Sequence, residues 1–469
     1  MVNLPLELFR AVLRKATAVH GAFDYPAEMW DEHDKTVEDL IEQSFKTKLA
    51  LSLVSKLVHQ LSQEFLYEII RIRNPEHIRP LVLLLKLHEE GCTSRGWWCR
   101  RLDVSLKHWS IGWRDGRFTL WGLLQACPRL VDLRILLRHC YPRSMRVNRF
   151  DFTPPRYCVT PTLLQTIATL YGPTLRHLTL GWRVAIPFTL AKTLLAHLPA
   201  LEACRLDNVR VPRPAQPPVI WTFANPTGAY NMDPGFFIPG DEEWTEEEEE
   251  EPDPDPYGSG RDSWGSSEED SENEGTDKSN EREEYRTALA SSTWPHGHEI
   301  VFLPRLRVLR CSHIFPDIGR WQLPALRNVS FGHQGYESAE ASYDMIIEAL
   351  SKAAHNITHF AYLGPTKIDI WRIVHILPCV SHLHICTSSL LENSSLSAVH
   401  SALLSISISP DTYHEQRVSD ILRALAEHIE SGFLPTLQSI HVLGGKLENL
   451  ALRTERFATI GVKLHYVMD

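Results

Sequence analysis

Between residues 128 and 437 the chain returns repeatedly to one arrangement of apolar and polar positions, Pro-x-Leu-x-x-Leu-x-Leu. Full or degraded copies begin at Pro128, Pro173, Pro199, Pro304, Pro324, Pro378 and Pro435. Proline cannot continue a helix, and the residues after it alternate between two faces as a strand does, so each copy predicts a helix-to-strand junction. In Leu175-Arg176-His177-Leu178-Thr179-Leu180 the leucines turn one way and His177 and Thr179 the other. Copies without the proline follow at Ile357-Thr358-His359-Phe360, at 403–408 and at 462–467.

Counted between the first apolar residues of successive strands, 175 to 201 is 26 residues, 306 to 326 is 20, 326 to 357 is 31, and 357 to 380 and 380 to 403 are each 23. One strand and one helix or helical turn per ~20–29 residues is the pattern of a leucine-rich repeat. An ordinary α/β domain with parallel strands also alternates in this way. The expected fold class is α/β: a small N-terminal helical unit, then an irregular leucine-rich repeat solenoid broken by a disordered acidic insertion. The expected bounds are 1–67 for the helical unit, 68–206 for the first part of the array, 207–296 for the insertion and 297–469 for the second part.

Upstream of the array the period changes to that of helices. Residues 4–16 predict a helix with Pro5 near its first position, Glu7 in its first turn, basic residues at its far end and an apolar stripe through Leu8, Val12 and Leu13. The polar, acidic stretch 20–42 predicts a long loop with room for one short helix. Leu49, Leu53, Leu57 and Leu61, beside Ala50, Val54 and Val58, predict a second helix over 46–61 with two apolar stripes, one for its own core and one for another protein.

These segments resemble an F-box. The residues that carry the resemblance are Leu4-Pro5-Leu6-Glu7-Leu8, then Leu53-Val54-Ser55-Lys56-Leu57-Val58-His59, then Phe65-Leu66-Tyr67-Glu68. More narrowly, residues 4–70 are similar to the F-box-like proteins common in mushroom-forming fungi, with Lys46-Thr47-Lys48-Leu49-Ala50-Leu51-Ser52-Leu53-Val54 as the family's second segment. The resemblance implies binding to the Skp-type adaptor of a cullin-based ubiquitin ligase, with the repeats holding a protein substrate. It would place Leu4, Pro5, Leu8, Leu53, Val54 and Lys56 on the adaptor face, with Val58 where the family's tryptophan is usual.

Glu68–Arg73 predicts the first strand of the array, and Leu81–Leu87 the helix after it. Thr160 as N-cap, Pro161 at the first helical position and Gly172 as terminator bound another helix. Residues 338–354 predict one more, with Tyr343, Ile346, Ile347 and Leu350 on one face. The strand positions expected to form a contact surface are His177, Thr179, Arg205, Arg307, His382 and His384.

Charge changes the picture in two places. Residues 95–156 hold thirteen Lys or Arg against four acidic residues, interleaved with five tryptophans. Such a mixture fits single-stranded nucleic acid, but it fits better a solvated face over core tryptophans, since no nucleic-acid motif accompanies it. Residues 212–256 carry ten prolines, and residues 241–285 have a net charge of −18 in a chain whose total is −10. This stretch cannot bury enough apolar surface to offset its ordering entropy. Without those residues the chain is +8, so the insertion reads either as a reversible competitor lying over the basic region or as a solvating loop. Ser266, Ser267 and Ser271 each precede an acidic residue by three positions and are candidate phosphorylation sites.

Nine scattered cysteines without a Cys-x-x-Cys pair point to reduced thiols. No glycine-rich phosphate loop, His-Glu-x-x-His or nucleophile elbow occurs, so the expectation is a non-enzymatic chain without cofactor or metal site. No run of about 18 apolar residues exists to cross a bilayer, and Glu7 and Arg10 interrupt any signal-like start. A cytoplasmic or nuclear location is expected. The rival functions are a repeat scaffold without a ubiquitin role and, more remotely, a nucleic-acid-associated protein.

Overall fold

A computed structural model describes residues 5–19, 21–23, 30–86, 94–106, 113–137, 157–158, 161–181, 184–207, 209–210, 300–311, 318–332, 346–364, 369–387, 398–409, 415–444 and 450–467. All belong to one compact unit made of Met1–Pro212 and Glu281–Asp469. Leu4, Thr160, Tyr343, nearly all of the expected insertion, and Ser266, Ser267 and Ser271 lie outside the described residues.

The protein mixes helices and strands around a twelve-stranded, all-parallel sheet. Its strands are β1 (Ile69–Ile72), β2 (Arg101–Leu106), β3 (Asp132–Leu137), β5 (His177–Gly181), β7 (Ala203–Leu206), β9 (Val308–Cys311), β10 (Asn328–Phe331), β11 (His359–Tyr362), β12 (His382–Cys386), β13 (Ser405–Ser409), β14 (Ser439–Leu443) and β15 (Lys463–Val467), and they pair in that order. The short strands β4 (Tyr157–Cys158), β6 (Val184–Pro187) and β8 (Val209–Arg210) make a separate three-stranded sheet.

Parallel neighbours need a crossover, which short connections in sequential order supply. The described crossover helices are α4 (Ile78–Lys86), α5 (Trp113–Ala126), α6 (Pro161–Tyr171), α7 (Phe188–Ala196), α8 (Ile370–Ile376), α9 (Glu415–Glu430) and α10 (Leu450–Thr459). Residues 346–351 are also helical, so the helix expected over 338–354 stops short of Ala354. Between β9 and β10 only a 3-10 turn, Ile318–Arg320, is present.

The register lines up Val308, Asn328, His359, His382, Ser405, Ser439 and Lys463, giving steps of 20, 31, 23, 23, 34 and 24 residues. The first four equal the spacings counted from sequence. The 20-residue step has no room for a full helical crossover, which is why a single 3-10 turn fills it.

The proline motif does something more local than end a helix. At Leu198-Pro199-Ala200-Leu201, Leu303-Pro304-Arg305-Leu306, Leu323-Pro324-Ala325-Leu326 and Leu377-Pro378-Cys379-Val380, the fourth residue's N–H donates to the first residue's carbonyl at 3.1–3.3 Å. Proline sits second in a β-turn, where its fixed φ is pre-set for the bend. Leu303 and Leu323 follow no α-helix, so the helix-to-strand expectation is corrected there: the turn is the conserved geometry among these copies and the helix is optional. Leu201, Leu306, Leu326 and Val380 are buried and carry the chain into the next strand.

Alternation then divides the sheet into two faces. One carries two apolar columns, from Ile70 through Leu178 and Phe360 to Ile440, and from Ile72 through Leu180 and Tyr362 to Val442, all in one core with the crossover helices. The other carries the polar residues between them.

The N-terminal unit departs from expectation. Its helices are α1 (Leu6–Thr17), α2 (Trp30–Ser52) and α3 (Lys56–Glu68). Residues 30–42, expected as mostly loop, belong to α2, and the helix expected over 46–61 is broken at Leu53-Val54-Ser55. Ser55 is the reason: extended at φ −163° and ψ 164°, it accepts from the Val58 N–H and caps a new helix. The acidic composition of 31–42 is compatible with helix because Val37 and Ile41, four apart, turn inward with Ala22 and Ile69. At Glu68, α3 passes directly into β1, so no linker separates the helical unit from the sheet.

Candidate recognition surfaces

On the N-terminal unit, Leu13, Val58 and Phe65 form a small core against which Phe9, Leu51 and Leu61 pack. Arg10 Nε donates to Glu64 Oε1 at 2.7 Å and ties α1 to α3. Outside that core, Leu6, Leu8, Val12, Leu49, Leu53, Val54 and Leu57 are exposed, Leu53 to 78%. Leu8 and Val12 are four apart on α1, while the other four surround the α2–α3 break. Pro5 and Lys56 are exposed as well.

Val58 must be removed from the proposed adaptor face. It is only 7% exposed and sits inside the unit's own core with Leu13 and Phe65. Once α3 restarts at Lys56, Val58 lies on the side facing α1 and Val54 does not. Lys48, part of the segment that carries the resemblance, is buried against the Phe45 ring at 5.7 Å, and burial pushes its pKa down.

The polar face of the sheet has two halves of different chemistry. On β2 and β3, Arg101 and Asp103 face Asp132 and Arg134 in the reverse order, so charges alternate along and across the strands. Arg101 donates Nε and Nη2 to Asp103 at 3.0 and 2.8 Å, and Arg134 Nε donates to Asp132 at 3.2 Å. Across the strands, Arg101 lies 3.8 Å from Asp132 and Arg134 lies 3.9 Å from Asp103. Arg71 and His177 extend the array on either side, 3.8 Å from Asp103 and 3.6 Å from Asp132. All but Arg71 are buried. Burial would raise the Asp132 pKa, but Arg134, the hydrogen bond with His177 and Arg101 outweigh it and hold the carboxyl well below its usual range.

This half is therefore structural, and it changes the reading of two expected contact residues. His177 and Thr179 do lie on the polar face, yet both are buried. Arg205 donates to Asp207 at 2.9 Å, and Arg310 approaches the same carboxylate at 4.0 Å. Arg307 precedes β9 by one residue, so Arg310 occupies the position in line with Arg205. The basic, tryptophan-rich stretch is likewise no continuous cationic patch: Arg101 and Arg134 are consumed by carboxylates and Arg129 stacks on Trp97 at 5.0 Å.

On β10–β15 the face is neutral and histidine-rich. His382 and His384 stand there as expected, half-buried. His359 and His382 stack with centroids 4.2 Å apart, and His441 and His465 stack at 4.8 Å. His382 Nδ1 hydrogen-bonds with Ser405 Oγ at 2.5 Å, and His384 Nε2 with Ser409 Oγ at 2.7 Å. Burial, then the neighbouring His382, pushes His359 down to about 4. Sequence reading missed His359, His441 and His465, although each is a polar residue in an alternating strand and register alone would have aligned them.

Among the described residues no group of three or more His, Cys, Asp or Glu is placed to hold a metal ion, and no helix is long and apolar enough to cross a membrane. No protein-family model matches the chain, and no curated protein matches it either.

Proposed function

We propose that the protein is a recognition subunit of a cullin-type ubiquitin ligase, in which an F-box-like unit binds a Skp-type adaptor and a leucine-rich repeat array holds a protein substrate. The observation that carries this reading is the exposure of Leu8, Leu53 and Val54, the residues that the F-box resemblance assigns to the adaptor, while Leu13, Val58 and Phe65 satisfy the unit's own core. Large apolar groups clustered outside a satisfied core are the mark of a partner surface. The array reading is supported by the register steps of 20, 23, 23 and 24 residues and the recurrent Leu-Pro-x-Leu turn. The role is binding rather than catalysis, and it suits the cytoplasm or nucleus.

The direct passage of α3 into β1 would hold adaptor and substrate at a fixed separation. Pull-down of a Skp-type adaptor with the full chain tests the proposal, with Leu8→Asp and Val54→Asp as controls. Capture lost in both variants supports it. No capture by the folded wild-type chain favours the second reading, a repeat scaffold without a ubiquitin role, for which Val58 in place of an exposed aromatic anchor is the specific observation.

A further inference from the structure

The polar face of β10–β15 presents twelve positions in two columns, and none is a carboxylate. Five are imidazoles, His359, His382, His384, His441 and His465; one is Lys463; the rest are Asn328, Ala361 and four serines. The contrast with β2 and β3 is chemical: there each cation meets a fixed carboxylate, whereas here the positive charge the face can acquire meets none among the described residues of these columns.

We propose that this face is the docking site for an acidic peptide segment of the substrate, bound with uptake of protons by the histidines. The proposal deepens the reading that the sheet holds a protein substrate and does not depend on the adaptor.

Three observations lead to it. Stacked imidazoles such as His359 with His382, and His441 with His465, repel when both are charged, so they stay neutral until an anion approaches. The Nε2 of His359 is buried with no hydrogen-bond partner in the structure, a polar atom able to serve a ligand. The serines beside His382 and His384 turn those rings and supply further donors. Around these rings, the charged or titratable groups at described positions of the same face are Lys463 on β15, Cys386 at the end of β12 and, beyond β10, Arg310, already close to Asp207. No permanent charge other than Lys463 lies within the two columns, so the face is selective for carboxylates only when its histidines are charged.

Nucleic acid is the less suitable anion. Phosphate backbones are held chiefly by permanently charged Lys and Arg, and bases by exposed aromatic rings. The aromatic side chains Phe331, Phe360 and Tyr362 of these strands are buried on the opposite, apolar face.

The test is fluorescence anisotropy of the full chain with a labelled peptide of alternating glutamate and serine, its glutamine counterpart, and a single-stranded oligonucleotide, at constant ionic strength. With uptake of about one proton, the glutamate peptide should bind about tenfold more tightly at about pH 6 than at about pH 7.5. The variant with His382→Gln and His384→Gln should lose that gain while melting as the wild type does. A second variant, His441→Gln with His465→Gln, guards against a local folding effect. Equal binding of the two peptides at both pH values would leave a peptide-binding face but overturn the acidic class. Absence of binding, or tighter binding of the oligonucleotide, overturns the proposal outright. Adaptor capture by the histidine variants should be unchanged, which separates failure here from failure of the ligase reading.

Discussion

Arg101 on β2 donates Nη1 to the carbonyl of Ala22 at 2.7 Å, across 79 residues of sequence, and so ties the N-terminal helical unit to the polar face of the sheet. The Arg100 guanidinium lies over the Phe23 ring at 4.8 Å beside it, and Ile69, at the head of β1, packs with Ala22, Val37 and Ile41. Ile69 is apolar at a polar-face position because this unit covers it. Removing the Arg101 side chain strands the buried Asp103 and Asp132. Arg101→Ala should cost about 3–5 kcal/mol in chemical denaturation, and it should unfold the helical unit and the first strands together.

Asp132 predicts an acid response. Its carboxyl is held well below the usual range in the folded protein, against its burial, by Arg134, His177 and Arg101. The folded state therefore resists protonation that the unfolded chain accepts. This contribution to stability is present above about pH 4 and is lost as pH falls below it. Asp132→Asn should flatten that fall, although it lowers stability at neutral pH, and a pH series of thermal melts reads both effects.

His359 acts over a different window. Burial, followed by His382, lowers its pKa from 6.5 to about 4, so the unfolded chain takes up a proton more readily than the folded one. Stability from this group is complete above pH 6.5 and declines as pH falls toward about 4, by at most about 3 kcal/mol. His359→Gln should remove most of the slope in that range. A wild-type slope that survives the substitution would place its origin elsewhere.

Val54 and Val58 are four residues apart and should respond oppositely. Val58→Ala empties part of the core shared with Leu13 and Phe65 and should cost about 2 kcal/mol of unfolding free energy. Val54→Asp lies on an exposed residue, so it should alter stability by less than about 0.5 kcal/mol and act on partner binding alone. Melting curves of the two variants, set beside adaptor capture, check the separation.

Thiol labelling offers a check of the core. Cys99, Cys127, Cys204 and Cys311 are buried, and burial raises the pKa of Cys99, Cys204 and Cys311, so none presents a thiolate. Cys379, in an exposed Pro-Cys turn, should react first with an alkylating reagent. The four buried cysteines should react only under denaturing conditions, as read by mass spectrometry of digested protein.

Much of the sheet was legible because period-2 alternation and a proline turn are local signals. Leu178 and Leu180 turn inward as the alternation requires, α6 begins at Pro161 and ends before Gly172, and the counted spacings are the register steps of the sheet. The break at Ser55 was harder to read because Leu49, Leu53, Leu57 and Leu61 keep a helical period straight through it. A serine that caps and a serine inside a helix look alike until the backbone is known.

Composition, alternation and turn chemistry were enough to determine the α/β class, the inward columns and the exposed stripes of the N-terminal helices, since these depend on neighbours a few residues away. Tertiary structure alone decided which polar residues meet. β7 and β9 pair directly although Ala203 and Val308 are 105 residues apart, because the entropy of closing a loop grows only slowly with its length. The same long-range pairing sets Arg101 against Asp132 and His359 against His382. It makes one half of the polar face a buried charge lattice and the other an open row of imidazoles, a difference that depends on strand register and on what lies over the sheet.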